Sequence, residues 1–150
     1  MPLKDYTTEV PAKKSAEQIL SNLVNHHATG VGMTYGPDQV PTSLVFGIST
    51  PQGELSYKLP ANIEKVYQLL LKMRRSSWDE DVQKKVHAQA ARVAWRILKD
   101  WVDAQLAIIE TEQVTITEVF LPYMIIANTG NKTVYELMTD KGYKLISPGQ

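Results

Sequence analysis

The strongest constraint on the fold is a helical pattern that runs from Trp78 to about Glu110. Ser77 and Glu80 stand at the spacing of a capping box and predict its start. An unbroken helix of this length is roughly 50 Å long. Its first half is amphipathic, but apolar residues occupy nearly every face of the second half, residues 93–109. A helix of that kind is buried, so it lies at the centre of the core or at an oligomer interface.

Three runs of alternating apolar residues precede this helix and predict an antiparallel meander. They are centred on Met33, Phe46 and Tyr57, and tight turns separate them at residues 36–38 and 51–53. Alternation places the apolar side chains on one face, so one side of the sheet covers the core and the other is wet or covered by a partner.

A helix flanks the meander on each side. The first is predicted to start at a capping box over residues 15–18 and to stop at Gly30, and the second covers Ile63 to Met73. Residues 1–13 contain few apolar side chains and predict a loose or edge-pairing N-terminal arm.

Two further capping boxes, Thr115 with Glu118 and Thr133 with Glu136, predict two short helices near the C-terminus. No repeat, linker or low-complexity segment divides the chain. The prediction is therefore one α+β domain over residues 1–150: a helix, a three-stranded antiparallel meander, a helix, a long central helix and two short C-terminal helices.

Composition excludes several classes of function. The chain has no Cys, which removes thiol nucleophiles, disulfides and thiolate metal sites. It also lacks a phosphate loop with its Lys, a Ser nucleophile elbow, a two-His zinc helix and a calcium loop. We therefore expect no catalysis, no cofactor and no metal. No apolar run is long enough for a membrane span or a signal peptide, so we expect no membrane association and an intracellular location.

The remaining catalytic candidates have simpler interpretations. His26 and His27 close the first predicted helix, where a cation suits the negative end of the helix dipole. The acidic run Asp79 to Asp81 begins the long helix and complements the positive end of its dipole. His87 lies among polar neighbours on the same helix.

Charge is unevenly distributed along a chain that is neutral overall. Residues 58–99 contain ten Lys or Arg against four Asp or Glu, a net charge of +6, and the rest of the chain carries −6. Zero net charge argues against indiscriminate coating of nucleic acid, but a basic half can focus a local positive potential.

A basic stripe lies within this window on the long helix. Arg92, Arg96, Lys99 and Asp103 follow at helical spacing, with Trp95 beside them. Arginine next to an exposed aromatic ring suits stacked bases and phosphates. The alternatives are a solvated strip with Lys99 and Asp103 paired, or arginines that pair with acidic groups across a subunit interface. The candidate anion-binding or nucleic-acid-binding residues are Arg74, Arg75, Arg92, Trp95, Arg96 and Lys99.

Several segments resemble a family of small, uncharacterised proteins from phages, prophages and bacterial metagenomes. The segments are Leu59-Pro60-Ala61-Asn62, Ala94-Trp95-Arg96, Lys99-Asp100-Trp101, Ala104-Gln105 and Glu118-Val119-Phe120-Leu121-Pro122-Tyr123. The family has no assigned activity, so the resemblance transfers no site. It implies a mobile-element setting in the cytoplasm of a bacterial host cell, with a role in DNA metabolism or in interference with host defence.

Two functions are predicted. The first is a non-catalytic phage-type or prophage-type accessory protein that binds nucleic acid through the basic stripe. The alternative is an oligomeric module that sequesters a protein or a small nucleotide and so interferes with host defence. In either case we expect a homo-oligomer that forms through the long helix, because its apolar surface exceeds what one small sheet covers.

Overall fold

A three-stranded antiparallel sheet and five helices make up the computed structural model, which describes residues 3–74 and 79–143. This is the α+β architecture that the sequence predicts, with each element in the predicted order. The elements are α1 (Ala12–Asn25), β1 (Ala28–Tyr35), β2 (Pro41–Thr50), β3 (Gly53–Pro60), α2 (Ile63–Met73), α3 (Glu80–Glu110), α4 (Ile116–Phe120) and α5 (Val134–Asp140), with a 3-10 turn at Leu121–Tyr123.

The sheet has the strand order β1-β2-β3, and Phe46 on β2 lies opposite Val31 on β1 and Tyr57 on β3. The buried side chains of its inner face are Leu44, Phe46, Ile48, Tyr57 and Leu59. Val31 and Tyr35 keep more than two fifths of their surface exposed. Both lie on β1, so the alternation of apolar residues overstates the burial of that strand.

An aromatic cluster joins the sheet to the C-terminal segment. Phe46 stacks on Tyr57 with ring centroids 5.1 Å apart, and Phe120 meets Phe46 edge-on at 5.3 Å. Trp101 on α3 then contacts Phe120 at 5.7 Å and Tyr123 at 5.9 Å. Edge-to-face and offset contacts of this kind add about 0.5–1.5 kcal/mol each to the burial of the rings. The C-terminal segment is therefore part of the core.

Helix α3 buries its broad apolar surface within its own chain. Trp95 is fully buried, and its Nε1 donates to the carbonyl oxygen of Pro41 at 2.8 Å. Trp101 and Ile109 pack against the main core cluster, whereas Ile108 is 37% exposed. Contacts with α1, α2, the sheet and α4 thus account for most of the surface that suggested an oligomer.

The predicted boundaries of α1 are wrong at both ends. The helix begins at Ala12, after Pro11, and Ser15 is buried inside it instead of capping it. Proline has a φ suited to a helix start, and Ala12 lies against the core, so the helix starts one turn early. It ends at Asn25, His27 adopts a φ of 76°, and Gly30 lies within β1.

The other helix starts agree better with the sequence. Asp79 caps α3 by accepting from the backbone N–H of Asp81 at 3.1 Å, and the predicted cap Ser77 lies outside the described residues. Both C-terminal capping boxes are confirmed, with Thr115 and Thr133 as the N-caps of α4 and α5. None of the helices that the structure describes combines the length and the apolarity of a membrane span.

Candidate anion-binding site

The basic stripe on α3 divides into two ends with different surroundings. The Arg92 end faces the N-terminal arm and α2, whereas the end formed by Arg96 and Lys99 faces α1.

The Arg96–Lys99 end is occupied by contacts within the chain. Arg96 Nη1 donates to Gln18 Oε1 at 3.1 Å. Lys99 Nζ donates to Asp103 Oδ2 at 2.5 Å, and Asn22 Nδ2 donates to the other oxygen of that carboxylate at 2.7 Å. The i,i+4 pair of Lys99 and Asp103 that the sequence offered as an alternative is confirmed. This end therefore fixes α1 to α3.

The N-terminal arm, expected to be loose or to pair with an edge, lies against α3 instead. Lys4 forms an ion pair with Asp100 at 3.3 Å, and Leu3 packs against the cluster between α2 and α3. Burial, a hydrogen bond to Asp100 and its negative charge raise the pKa of Asp5. Burial alone would raise the pKa of Asp100, but hydrogen bonds to Asp5 and Lys4 and the charges of Lys4 and Arg96 lower it. The two carboxyl groups thus hold one proton more readily than two separate groups would.

Gln89 connects the arm to Arg92. Its Nε2 donates to the backbone oxygens of Tyr6 at 3.0 Å and Thr8 at 2.9 Å. Its Oε1 accepts from Arg92 Nε at 2.8 Å and from Nη2 at 2.5 Å. The amide therefore sets the position of the arm and the orientation of the guanidinium together.

A cavity of about 410 Å³ lies at the Arg92 end, between the arm, α2 and α3. We call it the α2–α3 cleft. Its lining includes Tyr6 from the arm, Met73 and Arg74 from the end of α2, and Lys85, Gln89 and Arg92 from α3. No Asp or Glu lines it among the residues that the structure describes. The ion pairs formed within residues 3–74 and 79–143 do not include Arg74, Lys85 or Arg92. The cleft thus gathers three positive charges without a lining carboxylate.

Local structure explains why these cations converge. Lys85 and Arg92 are seven residues apart on α3, so they lie on nearly the same face of the helix. Arg74 is the C-cap of α2, where a cation is favoured by the helix dipole. Packing of Leu70 on α2 against Val86 on α3 brings the two helices together. The cleft is therefore built on two rigid elements.

The structure places the predicted site residues in different environments. Arg74 and Arg92 share the α2–α3 cleft, whereas Arg96 and Lys99 do not line it. The prediction that Trp95 offers an exposed ring is wrong, because it has no exposed surface and its indole N–H is bonded inside the core. Arg75 lies outside the described residues.

Two cleft residues were missed. Lys85 was counted among the basic residues of its window, and its i,i+7 spacing to Arg92 is a pattern that would have singled it out. Tyr6 is 42% exposed and supplies the aromatic ring expected of Trp95. No local pattern marks Tyr6, since it reaches the cleft only through the docking of the arm.

The outer face of the sheet fits an anion less well than the α2–α3 cleft does. A depression of about 450 Å³ on the outer face of the sheet is lined by glycines and by one charged residue, Glu54, which is acidic. No group of three or more His, Asp or Glu side chains in residues 3–74 and 79–143 is arranged to hold a metal ion.

His26 has a structural role at the end of α1. Its Nδ1 lies 2.8 Å from the Asn22 oxygen and its Nε2 lies 2.6 Å from Glu110 Oε1. The bond to the Asn22 backbone and the nearby Glu110 raise the pKa of His26. The protonated ring, which donates from both nitrogens, therefore ties the end of α1 to the end of α3.

Comparison of the chain with protein-family models, with curated proteins and with solved structures found no match. The resemblance to phage and prophage proteins thus stays a prediction, and the site must be interpreted from its own geometry.

Proposed function

We propose that this protein binds nucleic acid, without catalysing a reaction on it, through the α2–α3 cleft. The observation that carries the proposal is the convergence of Arg74, Lys85 and Arg92 on a cavity whose described lining has no carboxylate. Phosphate oxygens are the ligands that such a set favours, because each contact releases condensed counterions and arginine can donate two parallel hydrogen bonds.

The rim of the cleft adds a surface for bases. Tyr6 and Met73 are 42% and 47% exposed, and both line the cavity. A base that stacks on an aromatic side chain gains about 1–3 kcal/mol with little dependence on sequence. Cations beside exposed apolar groups therefore match the two parts of a nucleotide.

The arm completes this surface. Tyr6 belongs to the arm, and Gln89 holds the Tyr6 backbone while it also orients Arg92. Binding through the cleft therefore depends on a docked arm, which supplies the ring.

The proposal is tested with a fluorescein-labelled oligothymidylate of about twelve nucleotides, within the range of site sizes seen for single-strand binding. Fluorescence anisotropy measures the dissociation constant over a series of salt concentrations. The three phosphate contacts of the cleft contribute about −2 to the slope of log K against log salt.

Single variants then locate the contacts. Arg74→Gln and Lys85→Gln should each weaken binding several-fold and reduce the slope by about 0.7. Lys72→Gln is the matched control, because Lys72 is exposed in the last turn of α2 but does not line the cleft. Absence of binding at low salt, or equal effects of all three variants, would overturn the proposal.

A second candidate function is sequestration of a free nucleotide. The volume of the cleft, about 410 Å³, lies within the range of cavities that hold one small molecule. Competition separates the two functions, since a sequestering module binds a mononucleotide as tightly as the oligonucleotide, whereas a strand-binding protein prefers the longer ligand.

A further inference from the structure

A second basic cavity shares Arg92 with the α2–α3 cleft. It has a volume of about 480 Å³ and lies between the start of α1, the β1–β2 turn and α3. We call it the α1–α3 groove. Its cations are Lys13 from α1 and Lys84 and Arg92 from α3. The guanidinium of Arg92 thus stands at the boundary between two cavities of similar size.

Helix geometry explains how one segment of α3 serves both cavities. Lys84 and Lys85 are neighbours, so their side chains diverge by about 100° around the helix axis. Lys84 lines the groove and Lys85 lines the cleft. Together the two cavities gather cations from three helices: Lys13 from α1, Lys84, Lys85 and Arg92 from α3, and Arg74 from α2.

The floor of the groove is apolar. It includes Val40 from the β1–β2 turn and Ala88 and Ala91 from α3. One acidic residue, Asp38, also lines the groove, but its Oδ1 accepts from the backbone N–H of Val40 at 3.2 Å and so helps to form the turn. Lys13 also forms an i,i+4 pair with Glu17 on α1, with Nζ 3.9 Å from Oε1, but both side chains are exposed and such a pair contributes little. The three cations therefore still outnumber the two carboxylates near the groove. An apolar floor below a cationic rim suits a base with its phosphate at the edge.

We infer that the nucleic acid bound by this protein is single-stranded and that its backbone crosses α3 at Arg92, with one segment in the cleft and the next in the groove. The inference rests on the proposed function of the cleft. Each cavity has a volume that suits one small molecule, such as a single nucleotide. A duplex keeps its bases stacked inside the helix, so they cannot enter two separate cavities. An unpaired strand exposes both its bases and its phosphates.

The test uses labelled oligothymidylates of about two to twelve nucleotides and variants of the groove. Affinity should rise with length until the strand reaches both cavities. Lys84→Gln and Lys13→Gln should each weaken binding of the longest probe about fivefold and flatten its length dependence. Lys14→Gln is the matched control, because Lys14 is exposed next to Lys13 but does not line the groove. Circular dichroism checks that each variant is folded.

The outcomes separate this inference from the proposed function. If the groove variants equal Lys14→Gln while Arg74→Gln and Lys85→Gln weaken binding, the second cavity is not used and only the cleft remains. If a thymidine–adenine duplex of the same length binds as tightly as the single strand, the inference is also wrong. A duplex that competes at least about tenfold more weakly, together with the losses for Lys13 and Lys84, supports it. If neither set of variants changes binding, the proposed function fails as well.

Discussion

The two arginines of the basic stripe on α3, Arg92 and Arg96, have different electrostatic surroundings. At one end, Lys99 pairs with Asp103 and Arg96 lies beside Gln18 and Asp100. At the other end, Arg92 is oriented by the neutral amide of Gln89 and faces a cavity with two further cations. Both arginines thus donate to an amide, but the carboxyl groups of Asp5 and Asp100 near Arg96 reduce the positive potential that a phosphate would meet there. No carboxylate lines the cleft at Arg92 among the residues that the structure describes.

This difference separates two uses of a cation on one helix. The Arg96–Lys99 end holds α1 against α3, so substitution of either residue affects stability. The Arg92 end is positioned without a counter-charge, so its substitution affects binding. Arg92 and Arg96 both lie at helical spacing on one face of α3, so spacing in the sequence does not distinguish their roles.

The largest expected effect concerns Trp95, which the sequence placed beside the stripe. Trp95→Phe removes the hydrogen bond to the buried Pro41 carbonyl and leaves a small void, so we expect a loss of about 2–3 kcal/mol in the free energy of unfolding. Urea denaturation measures this loss. Affinity of the folded variant for oligothymidylate should be unchanged. A weaker affinity at unchanged stability would show instead that the Trp95 ring contributes to binding.

The next effect compares the two ends directly. Arg92→Gln should weaken oligothymidylate binding about tenfold, while Arg96→Gln should leave affinity unchanged and cost about 1 kcal/mol of stability through the lost contact with Gln18. Anisotropy and urea denaturation of both variants give the two numbers. Arg92→Lys keeps the charge and should retain most of the salt dependence. Equal losses of affinity at positions 92 and 96 would contradict the assignment of binding to Arg92 and of a structural role to Arg96.

The smallest effect concerns the carboxyl pair that holds the arm. Because the pKa of Asp5 is raised, its contribution is fully present below its ordinary pKa and is lost as pH rises through the raised value. The lowered pKa of Asp100 acts in the other direction, so its contribution is lost as pH falls. Once the pH has risen past the raised pKa of Asp5, both groups are ionised and repel each other, and Asp5→Asn should then tighten the arm by about 0.5 kcal/mol.

Hydrogen exchange provides the measurement for the arm. The Thr8 carbonyl accepts from Gln89 on α3, and the Thr8 amide donates to the Asp5 carbonyl at 3.0 Å, so the protection factor of this amide rises when the arm is held on α3. Protection should be higher in Asp5→Asn than in the unmodified protein at a pH above the raised pKa of Asp5, and this gap should narrow as the pH falls below that pKa. Lower protection in Asp5→Asn than in the unmodified protein above that pKa would contradict the repulsion between the Asp5 and Asp100 carboxylates.

Most of the fold follows from local patterns, but the site follows only in part. Alternation predicts the meander and its buried Phe46, and the two C-terminal capping boxes are confirmed, because each depends on residues a few positions apart. Lys85 and Arg92 share a face for the same reason. Tyr6 is brought to them by contacts over more than eighty positions, including the bond from Gln89, which no local pattern contains.

By itself, the sequence determined the order of the elements, the long central helix and the presence of a basic segment, since periodicity and capping act within a few turns of the chain. Only the tertiary structure decided that Trp95 is buried, that the arm lies on α3, and which cations keep a free charge. The physical reason is that the availability of a charge depends on the partners that packing brings to it, and those partners come from α1, α2 and the arm.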